Sequence, residues 1–202
     1  MSLLNNDTSI ISENWIEEMM MYAQRADVGI VGAKLYYPDN TIQHAGVIVG
    51  LGSVAGHTHC RHSGDDPGYM GLGFYVRNVS AVTGACLMIR KELFDAVGGL
   101  DCGLAVAFND IDLCLKVRQK GYLVVFTPYA ELYHYESKSR GYEDTPEKQR
   151  RFSREAEFFK SRWGNSILKQ GDPYYNSNFS LDADYHICYD KINAEKRKML
   201  KK

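Results

Sequence analysis

The sequence predicts an α/β domain followed by a helical tail. Three observations carry that prediction. Apolar runs of strand length recur at Val28 to Tyr37, Val79 to Ile89 and Tyr122 to Phe126. Segments of helical periodicity alternate with them at Glu13 to Arg25, Lys91 to Val97 and Asn109 to Lys120. Past Gly141 the pattern changes to one long charged helix, Pro146 to Arg162. The expected division is residues 4–140 for the α/β unit and 141–202 for a helical and irregular appendage.

The elements read in order as follows. Ser12 is an expected N-cap, with Trp15, Ile16, Met19, Met20 and Ala23 on one helical face behind it. Pro38-Asp39-Asn40 turns the chain between the Val28 strand and a returning strand, Thr41 to Val49. Leu51 to Gly73 is rich in Gly and His and reads as a long loop of the kind that carries function. Val79 to Ile89 is a buried strand interrupted at Thr83-Gly84. Gly98-Gly99 stops the helix at Lys91, and Gly121 stops the helix at Asn109. Pro128 should separate Tyr122–Phe126 from a further strand, Glu131–Tyr135. On the long helix of the tail, Phe152, Phe158, Phe159 and Trp163 form the apolar stripe.

Composition removes several classes. Apolar residues are 45% and charged residues 24%, an ordinary globular balance that does not suit disorder. A formal charge of -1 builds no field for nucleic acid. The five cysteines are odd in number and lack CxxC spacing, which argues for a reducing compartment. No apolar run reaches the length of a membrane span, and no signal peptide is visible. The basic run Lys196-Arg197-Lys198 with Lys201-Lys202 reads as a solvated tail, or as weak attraction to an anionic membrane. Leu3-Leu4-Asn5-Asn6-Asp7 resembles a strand end, so the chain is expected to be a piece of a longer one, with Met1-Ser2 foreign to it.

Five groups of residues could carry chemistry. Asn109-Asp110-Ile111-Asp112 opens a helix, where backbone N–H groups stabilise an anion. A carboxylate there suits a general base, although local sequence alone favours a plain cap. The two carboxylates diverge around Ile111. Asp7, after Asn5-Asn6, could bind a hard divalent cation or simply form an Asx turn. His134, between Tyr133 and Tyr135, is an ordinary hydrogen-bonded core histidine unless Asp7 lies beside it. His57-Thr58-His59-Cys60-Arg61-His62 holds four zinc-type ligands in poor spacing, and a solvated loop that touches substrate fits it better. Thr83-Gly84 combines a hydroxyl with room for close approach, or marks a bulge.

In order along the chain stand Leu-Asn-Asn-Asp-Thr, Val-Gly-Ile-Val-Gly-Ala-Lys-Leu, Ile-Gln-His-Ala-Gly, Val-Thr-Gly-Ala-Cys-Leu-Met-Ile-Arg, Val-Gly-Gly-Leu-Asp, Asn-Asp-Ile-Asp-Leu-Cys-Leu-Lys and Thr-Pro-Tyr-Ala-Glu-Leu-Tyr-His-Tyr-Glu-Ser. Each motif is weak alone. Together, from Leu4 to about Ser137, they resemble family 2 glycosyltransferases, the inverting enzymes of GT-A fold. The nearest group makes bacterial O-antigen and other surface polysaccharides with rhamnosyl and galactosyl transferases. The tail Gly-Asp-Pro-Tyr-Tyr-Asn-Ser-Asn-Phe-Ser is similar to large members of that group.

The resemblance implies roles. Asp110 would be the base, and Asn109 stands where the family has an acidic residue. Asp7 falls at the DXD position and would hold a divalent cation, Mg or Mn, with His134. Asn5 replaces the first acid of that motif, and Asn6, Thr83 and Gly84 would line the substrate site. A nucleotide-sugar donor and a saccharide acceptor would be the partners, with no nucleic acid. The location would be cytoplasmic, at or near the inner face of the membrane. The family's nucleotide-binding half precedes the DXD strand, so this sequence would be an incomplete GT-A sheet, inactive alone and open to dimerisation through an exposed edge. The cation could be absent from such a piece. Two rival expectations remain: a carbohydrate-binding or scaffold domain without catalysis, and a zinc-binding loop domain. Convergence of Asp7, Asp110, His134 and Thr83 in one cleft separates the enzyme from both.

Overall fold

The computed structural model describes residues 1–135, 145–190 and 192. The boundary expected near Gly141 and the basic run after Lys196 lie outside them. The strands are β1 (Ser2–Leu4), β2 (Thr8–Ile10), β3 (Val28–Tyr36), β4 (Ile42–His44), β5 (Val47–Val49), β6 (Ala55–His57), β7 (Arg77–Asn78), β8 (Cys86–Ile89) and β9 (Leu123–His134). The helices are α1 (Trp15–Ala23), α2 (Lys91–Ala96), α3 (Asn109–Gln119), α4 (Pro146–Trp163) and α5 (Ile167–Gln170).

A mixed seven-stranded sheet organises the molecule, in the order β1-β8-β3-β9-β2. β4 joins it along β3, and β7 along β9. The β3–β9 pair is parallel; the other pairs are antiparallel. β3 is buried over its whole length, as a central strand covered on both faces must be. Val31, Ala33 and Leu35 meet Trp15 and Met19 of α1 on one face. Ile30 and the other face pack toward Leu113 and Val117 of α3. β1 and β2 end the strand order, with β4 on the β8 side of β3 and β7 on the β2 side of β9.

The structure revises several sequence expectations. Glu131 N–H donates to the Ser12 hydroxyl at 2.7 Å, so Ser12 binds β9 rather than capping α1. Ile16 and Met20 are exposed beside the buried face of Trp15, Met19 and Ala23. β9 runs unbroken through Pro128. Gly32 pairs with Phe126 and Lys34 with Glu131, so Ala33 faces four residues and Pro128 sits in a bulge that has no ladder bond to lose. The returning strand divides at Gly46, whose φ of +94° sends β5 away from β3 to pair with β6. Val79–Val82 and Ala85 are buried and Thr83 and Gly84 half-buried, and the segment pairs through an isolated bridge from Ala81 to Val47 and a bond from Val79 N–H to the Val124 carbonyl. It crosses the sheet at Gly32, where a Cβ would lie 2.4 Å from that of Val82. Only Cys86–Ile89 is strand.

The C-terminal helix belongs to the same core. Phe159, Trp163 and Ile167 pack with Leu113, Leu115 and Val117. Asp112 lies at the centre of the joint, fully buried. It accepts from Arg162 at 2.9 Å and from the Trp163 indole at 3.0 Å, and it pairs with Lys116 at 3.2 Å. Farther on, Asp172 accepts from Val49 N–H at 2.8 Å and from the Ser80 hydroxyl at 2.6 Å, fastening the tail to β5.

Candidate active site

The carboxyl ends of β1, β3 and β9 point the same way, and the start of β8 lies between them. The N-terminus of α3 presents Asp110 beside that start, through its bond to Gly84. Ligand sites in open α/β sheets form at this end.

Asp110 stands in the first turn of α3, after Phe108, which adopts φ +64°. One carboxylate oxygen accepts from Gly84 N–H at 2.8 Å and the other from Ile111 N–H at 2.8 Å. Two backbone donors therefore fix the carboxylate. Gly84 eases this approach: a Cβ there would sit 3.2 Å from the Asp110 Cβ, a tight contact that a small shift of the Asp110 side chain relieves.

The segment after β1 is tied to the residue that follows Gly84. Asn5 N–H donates to the Ala85 carbonyl at 3.0 Å, one residue past Gly84. The Asn5 amide meets His134 Nε2 at 3.2 Å, and Asp7 Oδ1 lies 3.3 Å from the same nitrogen. His134 Nδ1 meets Gln43 Oε1 at 2.7 Å, while the Gln43 amide donates to the His134 carbonyl at 3.3 Å. The next residue, His44, accepts from Thr83 N–H at 3.4 Å, and Thr83 adjoins Gly84. The contacts close into a ring: Asp110, Gly84, Ala85, Asn5, His134 with Asp7, Gln43, His44, Thr83.

Three predicted site residues play lesser parts. The Thr83 hydroxyl accepts from Ala85 N–H at 3.3 Å and so shapes the turn. Asn6 is exposed in the turn before β2, and Asn109 is the half-buried first residue of α3. The sequence reading missed Gln43 and His44. Both stand in the quoted Ile-Gln-His-Ala-Gly, and alternation along β4 could have pointed them to opposite faces.

A cation between Asp7 and His134 fits the donor set. Gln43 Oε1 can only accept, so it places the His134 proton on Nδ1 and leaves Nε2 bare. The Nε2 lone pair, which accepts from the Asn5 amide at 3.2 Å, lies 3.3 Å from an Asp7 carboxylate oxygen, so a cation there would take the lone pair over from Asn5. Among the described residues no group of three or more His, Cys, Asp or Glu could hold a metal, so diphosphate oxygens and water would complete the shell.

The zinc reading of residues 57–62 fails on direction. His57 meets His44, Cys60 meets Tyr37, and His62 pairs with Asp66. His59 is buried, stacks on Tyr185 and accepts from Tyr69 N–H at 3.3 Å. Two surface clefts, of about 420 and 430 Å³, flank Trp163 at the far end of α3 and take no residue from the ring.

Residues 1–156 match the family model described as Glycosyltransferase like family 2. The chain belongs to that family. Among relatives of this glycosyltransferase domain, the uncharacterized protein y4gI of Sinorhizobium fredii is 56% identical over 184 residues, covering 91% of the chain and 20% of the relative. The O-antigen biosynthesis protein RfbC of Myxococcus xanthus is 38% identical over 183 residues, 89% of the chain and 14% of the relative. The N-acetylglucosaminyl-diphospho-decaprenol L-rhamnosyltransferase of Mycobacterium tuberculosis is 35% identical over 65 residues, 32% of the chain and 21% of the relative. The glycosyltransferase chain thus spans about a fifth or less of the curated relatives' length. Among its described residues, no helix is long and apolar enough to cross a membrane.

Proposed function

We propose that this chain carries the base and the acceptor-side wall of an inverting glycosyltransferase that builds a surface polysaccharide. The observation that carries the reading is the hold on Asp110: two backbone N–H groups fix a carboxylate at a helix start, linked through Gly84, Ala85 and Asn5 to the Asp7–His134 pair. The O-antigen and rhamnosyltransferase relatives support the substrate class.

In this reading an acceptor hydroxyl lies against Asp110. Its oxygen bonds to the anomeric carbon of the donor sugar as its proton passes to the Asp110 carboxylate. The bond from that carbon to the nucleoside diphosphate breaks, and the electron pair leaves on the phosphate oxygen. Attack from the opposite face inverts the anomeric centre. A divalent cation, Mg or Mn, held by Asp7 and His134 would neutralise charge on the leaving diphosphate. Gln43 would orient His134 through Nδ1, while Asn5, which bonds Nε2 at 3.2 Å, would yield that nitrogen to the cation. The acceptor wall is formed by Asn6, Thr83, Gly84 and Asn109. Residues beyond these 202 would grip the nucleotide, packing along β1. We place the reaction at the cytoplasmic face of the membrane.

The test is Asp110→Asn in the full natural protein. Donor binding should be kept while transfer falls by about 10²–10⁴-fold. Unchanged transfer would remove Asp110 from the role and leave a carbohydrate-binding domain as the better reading.

A further inference from the structure

The ring around Asp110 depends on one histidine. His44 ends β4 and is fully buried. Its Nε2 receives two backbone N–H groups, from Gly46 and Thr83, each at 3.4 Å. Its Nδ1 faces Nδ1 of His57, on β6, at 2.9 Å, with the two rings edge to face. A nitrogen that accepts N–H groups carries no proton of its own. The His44 proton is therefore on Nδ1, from which it donates to His57. The His57 Nδ1 must then be bare, with its proton on Nε2. Each tautomer fixes the other, starting from the backbone at Thr83.

The alternatives are weaker. Two Nδ1 atoms at this distance resemble half of a metal site, yet no third ligand joins them among the described residues. A charged pair is disfavoured as well. Burial drives the His44 pKa well below its ordinary value, and His57, Arg77 of β7 and His134 of β9 all act in the same direction.

We propose that His44 is a positioning residue for glycosyl transfer: as a neutral Nδ1–H tautomer set by His57, it holds the Thr83-Gly84 backbone where Gly84 N–H can fix Asp110. The proposal rests on Asp110 being the base. It explains why a buried segment that leaves the ladder keeps Thr83 N–H bonded, and why β5 and β6 pack beside the site. His57 acts through His44 and Thr83 without touching substrate.

The test begins with the 202-residue chain, labelled with ¹⁵N at histidine. Imidazole spectra at neutral pH should show His44 protonated at Nδ1 and His57 at Nε2. His44 protonated at Nε2 overturns the proposal. His57→Ala, at an exposed position, should speed amide exchange at Thr83 and Gly84 by about fivefold to tenfold, the effect of loosening one hydrogen bond. His57→Asn, which restores an acceptor, should reverse most of that change. Unchanged exchange in His57→Ala, or no rescue by Asn, overturns it too. In the full natural protein, His57→Ala should lower kcat about tenfold with KM held, and unchanged kcat counts against the proposal. Failure of the Asp110→Asn test would dismiss the base and leave the tautomer and exchange results as they stand, so the two ideas fail separately.

Discussion

Asp112 Oδ1 lies 2.9 Å from the Arg162 guanidinium, two residues along α3 from Asp110. Asp112 is fully buried and Asp110 half-buried, with Ile111 in the core between them. In the proposed reading Asp110 serves the chemistry and Asp112 the architecture.

That division predicts opposite phenotypes. Asp112→Ala leaves the buried Trp163 indole without its acceptor and removes a carboxylate from Arg162 and Lys116, which keep Asp101 and the Gly99 carbonyl, and should cost about 3 kcal/mol. A melting temperature lowered by roughly 10 °C is expected for a domain of this size. Asp110→Asn keeps an acceptor for Gly84 and should shift the melting temperature little. Equal melting of Asp112→Ala and the parent would refute the assignment.

Two glycines predict a second contrast. Gly32→Ala would drive a Cβ to within 2.4 Å of Val82, buried on both sides, and should cost about 3 kcal/mol or block folding. Gly84→Ala meets Asp110 at 3.2 Å and can be absorbed by a small shift of that side chain. The fold should survive, with transfer reduced about tenfold or more because the base is displaced. Denaturant midpoints and transfer assays on both variants check the pair.

Acid should destabilise the fold through buried histidines. Burial lowers His59 to about 4, and lowers His44 well below 6.5, the value each takes in the unfolded chain. Between those limits the unfolded chain binds more protons than the fold. Stability is therefore complete above pH 6.5 and is lost as pH falls, by at most about 1.4 kcal/mol per pH unit for each histidine. Urea midpoints at about pH 7.5 and pH 5 should differ, and His59→Gln should shrink the difference. Identical midpoints would rule the mechanism out.

Asp172 predicts a local effect. Its removal frees Ser80, Val49 N–H and Tyr174 N–H together. Asp172→Ala should speed proteolytic nicking within residues 173–189 by about tenfold, ahead of global unfolding. Cleavage at the parent rate would show that the tail is held without Asp172, by the bonds from His59 N–H to Asp184 and from Gly52 N–H to the Leu181 carbonyl and by the packing of Tyr175 and Phe179.

Much of this fold can be read locally. The unbroken apolar run at Val28, the apolar spacing of α3 and the Thr145-Pro146 start of α4 are short-range signals. The cap read at Asn109-Asp110 does not form: Phe108 holds the N-cap position without a side-chain bond. Other features depend on distant partners. Pro128 looks like a strand break until the bulge against Ala33 is known. The apolar character of Val79 to Ala85 comes from packing over Gly32, which strand periodicity cannot express. The site divides in the same way. Asp110 stood out through the order of motifs around it. Gln43 and His44 gain meaning only when β4 folds back against β9 and the Thr83 turn.

The family match stops at residue 156, partway along α4. The physical unit continues past it. Phe159 and Trp163 complete the core, and Arg162 neutralises Asp112 across the joint. A gene cut at the edge of the match would make a protein with a hole in its interior and a bare carboxylate facing it. Such a product would collect as aggregate, and an assay of it would report the cut instead of the enzyme. Anyone dissecting the longer relatives should place the C-terminal boundary beyond Tyr185, which stacks on buried His59 and follows the Asp184 carboxylate that accepts from the His59 N–H.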